Sequence, residues 1–225
     1  MSRITSILGW SRRNIRPGFA GLLGLGLWVG AGQAYNLYRA NLHSHTGYSD
    51  GDSASVPRDA YVYARDTARI DVLGVTDHAE VVEPWEWDST RAMAAAATTP
   101  GVFVALAGFE WTGSDGHMCA WFTDDYTSWL LTPTPPLFYS WLLPHPKVVG
   151  QFCHPFPDNY YYFAYSTEGD SSVTALEMQW ESHALVYVEA LDSGWHVGMT
   201  ANQDNHDRSW GARHQMTGIW ADSLT

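Results

Sequence analysis

From Tyr35 onward, short apolar runs alternate with stretches of helical periodicity. The first run ends in Asn41-Leu42-His43-Ser44-His45. Pro57 suits the first turn of a helix, and Ala60, Tyr63, Ala64 and Thr67 recur on one stripe of it. Ile70-Asp71-Val72-Leu73-Gly74-Val75 reads as a buried strand and runs into Thr76-Asp77-His78. Asp88 is placed to cap a second helix reaching Ala97, which Pro100-Gly101 stops. Val102 to Ala107 is strand-like again and leads into Gly108-Phe109-Glu110-Trp111; an alternating run follows at 117–122. Val148 to Phe152 precedes Cys153-His154-Pro155, Ala175 to Met178 contains Glu177, and Val197 to Thr200 precedes Asp204-Asn205-His206. This alternation predicts an α/β fold with a parallel sheet, either open or closed as a β/α barrel.

The chain has 225 residues, enough for one such domain with a sizeable core. Apolar residues make up 45% and charged ones 16%, which excludes intrinsic disorder. Twelve Trp and twelve Tyr suit a core plus an aromatic-lined cleft. Charge is distributed unevenly: residues 1–34 hold four Arg and no acid, and the remainder carries 8 basic against 24 acidic groups, a net of −16. Such a surface repels phosphate backbones, so a role in coating nucleic acid is excluded.

Ser11-Arg12-Arg13-Asn14-Ile15-Arg16 precedes a Gly/Leu-rich run from Phe19 to Ala31 and then Gly32-Gln33-Ala34. Basic, then apolar, then small is the layout of an export signal peptide, so residues 1–34 are predicted to be removed and the body to be periplasmic or extracellular. The Arg pair loosely resembles a twin-arginine signal, from which Arg16 after Ile15 departs. The rival reading is an uncleaved membrane anchor, the only route to a membrane in this sequence. Its strictly apolar core is shorter than the ~20 residues of a spanning helix. Cys119 and Cys153 are the only cysteines, and facing rules for the two strands predict two buried free thiols without a mutual bond.

Most strand candidates stop at a His, Asp or Glu, and β/α barrels build their sites where strand C-termini converge. Seven such groups at one rim call for divalent metal, because imidazole and carboxylate are ligands for Zn, Mn and Fe. The two rings of His43-x-His45 lie on one face of an extended segment and reach one ion. A shared carboxylate such as Glu110 can bridge two ions. Taken singly, His-x-His is more often structural, and Asp77 before His78 serves equally as a turn or cap. His145, His183, His196 and His214 lack the strand-end position and read as structural. Glu177 suits an acid that orients a ligand from behind. Arg208 and Arg213 are candidates to clamp an anionic substrate, or else belong to solvated loops. The tyrosines of 158–170 either wall a cleft or pack as an ordinary aromatic loop.

The order of LHSHTGYSDG at 42–51, GVTDHAE at 74–80, GFEW at 108–111, GHM at 116–118, CHP at 153–155 and NQDNH at 202–206 resembles the PHP (polymerase and histidinol phosphatase) family of metal-dependent phosphoesterases. Within it the resemblance is nearest to an exported branch that includes carbaryl-hydrolase-like metallohydrolases. It implies a distorted seven-stranded, TIM-like β/α barrel over residues 35–225 with two or three divalent ions (Mn, Zn or Fe) at the strand C-termini. It assigns His43, His45, Glu110 and Asp204 to a first ion. Glu110 would bridge to a second held by His117 and His154, and Asp50, His78 and His206 would form a third site. Asp50 stands where some relatives carry His. Gly218 to Thr225 reads as a last strand and the opening of a helix, so elements that relatives place at the C-terminus are expected to be missing.

The implied reaction is hydrolysis of a phosphate ester by metal-activated water, with Asp204 or His206 assisting proton transfer. The −16 background favours a small phosphomonoester, nucleotide or phosphodiester over a large polyanion. A carbamate, carboxylic ester or amide hydrolase on the same metals is the second reading, favoured by aromatic richness. An exported metal-binding module without turnover is the third.

Overall fold

A computed structural model describes residues 35–225; the export segment expected at 1–34 lies outside them. Among the described residues, no helix is long and apolar enough to cross a membrane. The described residues form eight strands: β1 (Asn36–Asn41), β2 (Val72–Val75), β3 (Val104–Gly113), β4 (Gly116–Trp121), β5 (Val149–Cys153), β6 (Val173–Glu177), β7 (Gly198–Thr200) and β8 (Thr217–Ala221). They form one sheet in the order β7-β6-β5-β4-β3-β2-β1-β8. Thr217 of β8 donates to Asn202 and accepts from the Ala201 backbone just after β7, so the sheet almost closes into a barrel.

The expected count of seven strands is therefore corrected to eight, and the expected all-parallel arrangement to a mixed one. β1–β2, β2–β3, β5–β6 and β6–β7 are parallel, whereas β8 runs antiparallel beside β1. β4 is antiparallel to both β3 and β5. The cause lies in the link between β3 and β4: Gly113 pairs with Gly116, so only Ser114 and Asp115 lie between the strands. A two-residue turn can make only a hairpin, since a parallel crossover needs a dozen or more residues. Gly116, the first residue of β4, has a φ of 124°, a conformation that glycine adopts without strain.

Helices α1 (Pro57–Tyr63), α2 (Pro84–Ala97), α3 (Pro135–Leu142), α4 (Asn159–Phe163), α5 (Thr167–Asp170) and α6 (His183–Asp192) pack outside the sheet. α1 buries Pro57, Ala60, Tyr61 and Ala64, but Thr67, expected on the same stripe, is exposed. A π turn over Ala64–Ala68 widens the helix there and rotates the phase of the residues after it. α2 begins at Pro84, one turn earlier than expected. Glu86 reaches back to the Glu83 backbone N–H to hold that start, and Asp88 lies inside the helix, exposed. In α4, Tyr160, Tyr161, Tyr162 and Phe163 all adopt the left-handed region.

The main core joins Phe109, Trp111, Met118 and Phe152 of the sheet's outer face to Phe138, Phe163, Val186 and Trp195. Inside the barrel, Trp121 packs with Leu42, Leu106, Val149, Cys119 and Cys153. Gly108 is required there, because a Cβ at that position would overlap the Trp121 indole. Both cysteines are free and buried, as the sequence predicts. The facing argument behind that expectation does not hold. His117 pairs directly with Cys153, so Cys119 and Cys153 share the inner face, with their sulfurs 3.1 Å apart.

Candidate metal centre

One rim of the barrel collects the polar ends of the strands. His43 and His45 follow β1, His78 follows β2, Glu110 sits in the upper half of β3, and His154 follows β5. His117 arrives at the same rim from the beginning of β4, because that strand runs the opposite way. Asp204 and His206 follow β7. His154 and Asp204 have φ of 28° and 46°, a left-handed bend that turns each side chain off its strand direction. Strain of this kind is held only where surrounding contacts enforce it.

Glu110 is the hub and is buried to 1% exposure. Its Oε1 lies 2.9 Å from His117 Nδ1 and 3.2 Å from His154 Nε2. Its Oε2 lies 3.1 Å from His43 Nε2, 3.2 Å from His45 Nε2 and 3.4 Å from His78 Nδ1. Asp204 Oδ1 completes the first group, 3.3 Å from His43 Nε2 and 3.0 Å from His45 Nε2. Asp50 Oδ2 lies 3.1 Å from His206 Nε2 and 3.6 Å from His78 Nε2, and Asp50 Oδ1 lies 3.7 Å from His45 Nδ1. All nine residues predicted as ligands thus meet in one place. Potential ligand atoms of His43, His45, Glu110 and Asp204 lie within 4.8 Å of one another, as do those of His45, Asp50, His78 and His206, and those of His78, Glu110 and His117.

The donor chemistry fits divalent cations. His206 Nδ1 donates to the carbonyl of Asp204 at 3.0 Å, so its Nε2 presents a lone pair toward the Asp50 carboxylate. Two acceptors that close need a proton or a cation between them. His43 and His45 also turn Nε2 toward each other at 3.2 Å while sharing the same two carboxylates. His43 Nδ1 donates to both oxygens of Glu177 at 3.1 Å, which fixes the tautomer and leaves Nε2 free to ligate.

In the absence of an ion, protons balance the charge. Burial lowers the pKa of His43, but Glu177, Glu110 and Asp204 outweigh it and raise the ring well above its ordinary value. Burial likewise opposes protonation of His45, but bonds to Asp204 and Glu110 lift it to about 9. Burial alone would raise Glu110 and Asp204; the neighbouring histidines instead hold both well below the usual carboxylate range. His78 is lowered, chiefly by burial.

The two arginines are placed differently. Arg213 lies beside Asp204, Asn202, Gln203 and Trp180 in a cavity of about 160 Å³ and pairs with Asp207 at 3.1 Å. Arg208 pairs with Asp52 at 3.1 Å and lines a separate hollow against Arg58, Tyr63 and Trp210 that contains none of the candidate ligands. Tyr160 is buried beneath the hairpin, where its hydroxyl donates to the carbonyls of His117 and Cys153. Tyr161 and Tyr162 are exposed, so the loop is part packing and part surface.

Several supporting residues were not picked out by the sequence reading, which gave Asp77 only as a turn or cap. Asp77 accepts from the Thr46 backbone N–H and hydroxyl, each at 2.7 Å, and from the Ser49 hydroxyl at 2.6 Å. It thereby sets the loop that carries His45 and Asp50. Thr112 shares a 2.7 Å hydrogen bond with His78 Nδ1. Asn41 bonds Ser44 and Asn205 through its amide nitrogen and accepts from the Gln203 N–H, sewing the loop after β7 to the end of β1. The available signal was the run of uncharged polar residues flanking the ligands, too common in loops to single out.

No protein-family model matches the chain, and no curated protein matches it in sequence. Solved structures do. A two-domain protein from Bacteroides vulgatus, containing a predicted PHP-like metal-dependent phosphoesterase, superposes with a TM-score of 0.61 at 17% identity over 85% of this chain. The chain spans about 60% of the length of that protein. Endonuclease Q, solved with a duplex carrying an abasic lesion at its active site, matches over 77% of this chain and 50% of its own, at 13% identity and a TM-score of 0.45. The first likeness shows a shared fold; the second carries no weight.

Proposed function

We propose that this chain is a metal-dependent hydrolase of phosphate esters, acting on a small phosphomonoester, nucleotide or phosphodiester. The observation that carries the reading is Glu110, whose two oxygens face two separate histidine groups from a fully buried position. A carboxylate so divided is the bridge that a two-ion site uses. Divalent ions bound there supply Lewis acidity toward the phosphoryl oxygens and lower the pKa of the attacking water. His43, His45, Glu110 and Asp204 would hold one ion, Glu110, His117 and His154 a second, and Asp50, His78 and His206 a third.

The chain's own residues then orient and carry protons. Glu177 points His43 Nε2 into the site. Asp204 stays ionised at neutral pH, with its Oδ1 3.0 Å from His45 Nε2 and 3.3 Å from His43 Nε2. His206 is 39% exposed and keeps its Nδ1 proton on the Asp204 carbonyl, so Nε2 is the atom it offers, to the third ion or, with that site empty, to a proton in transfer. The likeness of fold to a PHP-like protein supports the reading. Export, and kinship to carbaryl-hydrolase-like enzymes in particular, belong to the same proposal and rest on the sequence.

Metal-loaded protein should hydrolyse bis-p-nitrophenyl phosphate, and His43→Ala and Glu110→Ala should each lower kcat at least about a hundredfold. Turnover of 1-naphthyl N-methylcarbamate without turnover of the phosphodiester would replace this reading by carbamate hydrolysis. A fully metallated protein inert to both would leave a metal-binding module. Cell fractionation and N-terminal sequencing test the export.

A further inference from the structure

A cavity of about 610 Å³ beside the metal centre includes His78, His117 and Asp50 in its lining. That size suits a small organic ligand. Away from the histidines its wall is Tyr48, Val81, Glu80, Glu83 and Glu86, with no Lys or Arg. Phosphate recognition would place cations in such a wall; here the metal rim is followed by carboxylates. These acids are not grouped for a bare ion. Among the described residues, the clusters able to hold a metal include none of Glu80, Glu83 and Glu86. Their negative charge is spread over a cavity with an aromatic side. Tyr48 lines it and packs edge-on against Trp85, ring centroids 5.7 Å apart, and Trp85 is 62% exposed.

Glu80 is fixed in this wall by the backbone on either side. Its Oε1 accepts from the N–H groups of Thr112 and Trp129, whereas its Oε2 is shielded from solvent and has no hydrogen-bond partner. Thr112, bonded to both Glu80 and His78, sets that carboxylate one side chain away from the metal rim.

We propose that this cavity receives an organic ammonium group of the substrate, so that the preferred phosphoester carries an alkylammonium a few bonds from phosphorus. The inference rests on the phosphoesterase reading and deepens it. The carboxylates attract the cation, and the Tyr48 ring, steadied by Trp85 beside it, offers an aromatic surface to its alkyl groups. The same wall disfavours substrates with further negative charge beyond the scissile phosphate.

The test compares choline phosphate with 3,3-dimethylbutyl phosphate, which has the same shape with carbon in place of the ammonium nitrogen. Phosphate release by the metal-loaded full chain is expected to favour choline phosphate by about tenfold or more in kcat/KM. Glu83→Gln should shrink the ratio severalfold, and Glu83→Lys should abolish or reverse it. Glu83 is exposed at the helix start, so both variants keep the core intact. Tetramethylammonium should quench intrinsic fluorescence saturably in the parent and more weakly in Glu83→Lys. Equal rates on the two esters, or preference for the uncharged one, would overturn the inference while leaving the phosphoesterase reading in place. If neither ester nor bis-p-nitrophenyl phosphate is cleaved, that reading fails, and tetramethylammonium binding alone decides whether the cation subsite exists. Quenching by Mn²⁺ but not by tetramethylammonium would overturn it.

Discussion

Replacing Glu177 with Gln changes one oxygen into an amide nitrogen at a fully buried position, with almost no change in volume. The carboxylate serves three donors: His43 Nδ1, 3.1 Å from each oxygen, and, on Oε2, the backbone N–H of His154 at 2.9 Å and the Gln179 amide at 3.4 Å. A glutamine has only one acceptor. If its oxygen takes the His154 N–H, its NH₂ faces His43 Nδ1, and the imidazole must carry its proton on Nε2, where the ion would bind. If instead the oxygen stays with His43, two donors meet at the His154 backbone, at a cost of about 1–3 kcal/mol. Either outcome weakens the first metal site. Loss of an outer-shell partner of a ligating histidine typically lowers affinity 10–100-fold, about 1.4–2.7 kcal/mol. Titration of chelated protein with Mn²⁺ or Zn²⁺ by calorimetry measures the affinity, and circular dichroism controls for folding. An unchanged dissociation constant for every ion in a well-folded Glu177→Gln protein would refute the idea that Glu177 dictates the His43 tautomer.

Metal-free protein should lose stability as pH rises from about 6.5 to 9. His45 is protonated between Glu110 and Asp204 in the fold with a pKa of about 9, so its stabilisation is complete below the free-imidazole value and vanishes above the folded one. The lift corresponds to on the order of 3 kcal/mol, and urea midpoints at the two pH values in the presence of chelator measure it. Metal-loaded protein should show the opposite trend over that range, because ligation requires the deprotonated ring. Cys119, pushed up to about 12 by burial, and its buried neighbour Cys153 should resist a thiol-specific dye in the native state and react only after denaturation. Rapid labelling of folded protein would contradict that burial. Tyr160→Phe removes the hydroxyl that bridges the His117 and Cys153 carbonyls, and should lower the unfolding free energy by about 1–3 kcal/mol. A urea midpoint equal to that of the parent would show that the bridge is dispensable.

The order of strand-ending His, Asp and Glu, and the alternation of strand and helix, were determined by the sequence alone. Both are local signals: side-chain period decides which residues share a face, and a polar ligand ending an apolar run marks a strand terminus whatever the rest of the chain does. Hence the strand-end ligand candidates, and Glu177 as an acid that orients one of them, could be named before any coordinates, with the full set of nine coming from the resemblance in motif order; the free thiols were expected on a facing argument that the pairing of His117 with Cys153 overturns. Pairing direction could not, because parallel and antiparallel neighbours have the same apolar run; the two-residue turn at Ser114 and Asp115 decides it for β4, and pairing with β1 decides it for β8. The π turn after Tyr63 shifted the helix phase that periodicity had extrapolated to Thr67. The separation of the arginines, with Arg213 near Asp204 and Arg208 paired to Asp52, follows from how the loop after β7 folds back. Asp77, Thr112 and Asn41 gained their roles only when loops distant in sequence met at one rim. A hydrogen bond across 31 or 164 residues leaves no periodic trace in either partner, so only the tertiary structure assigns it.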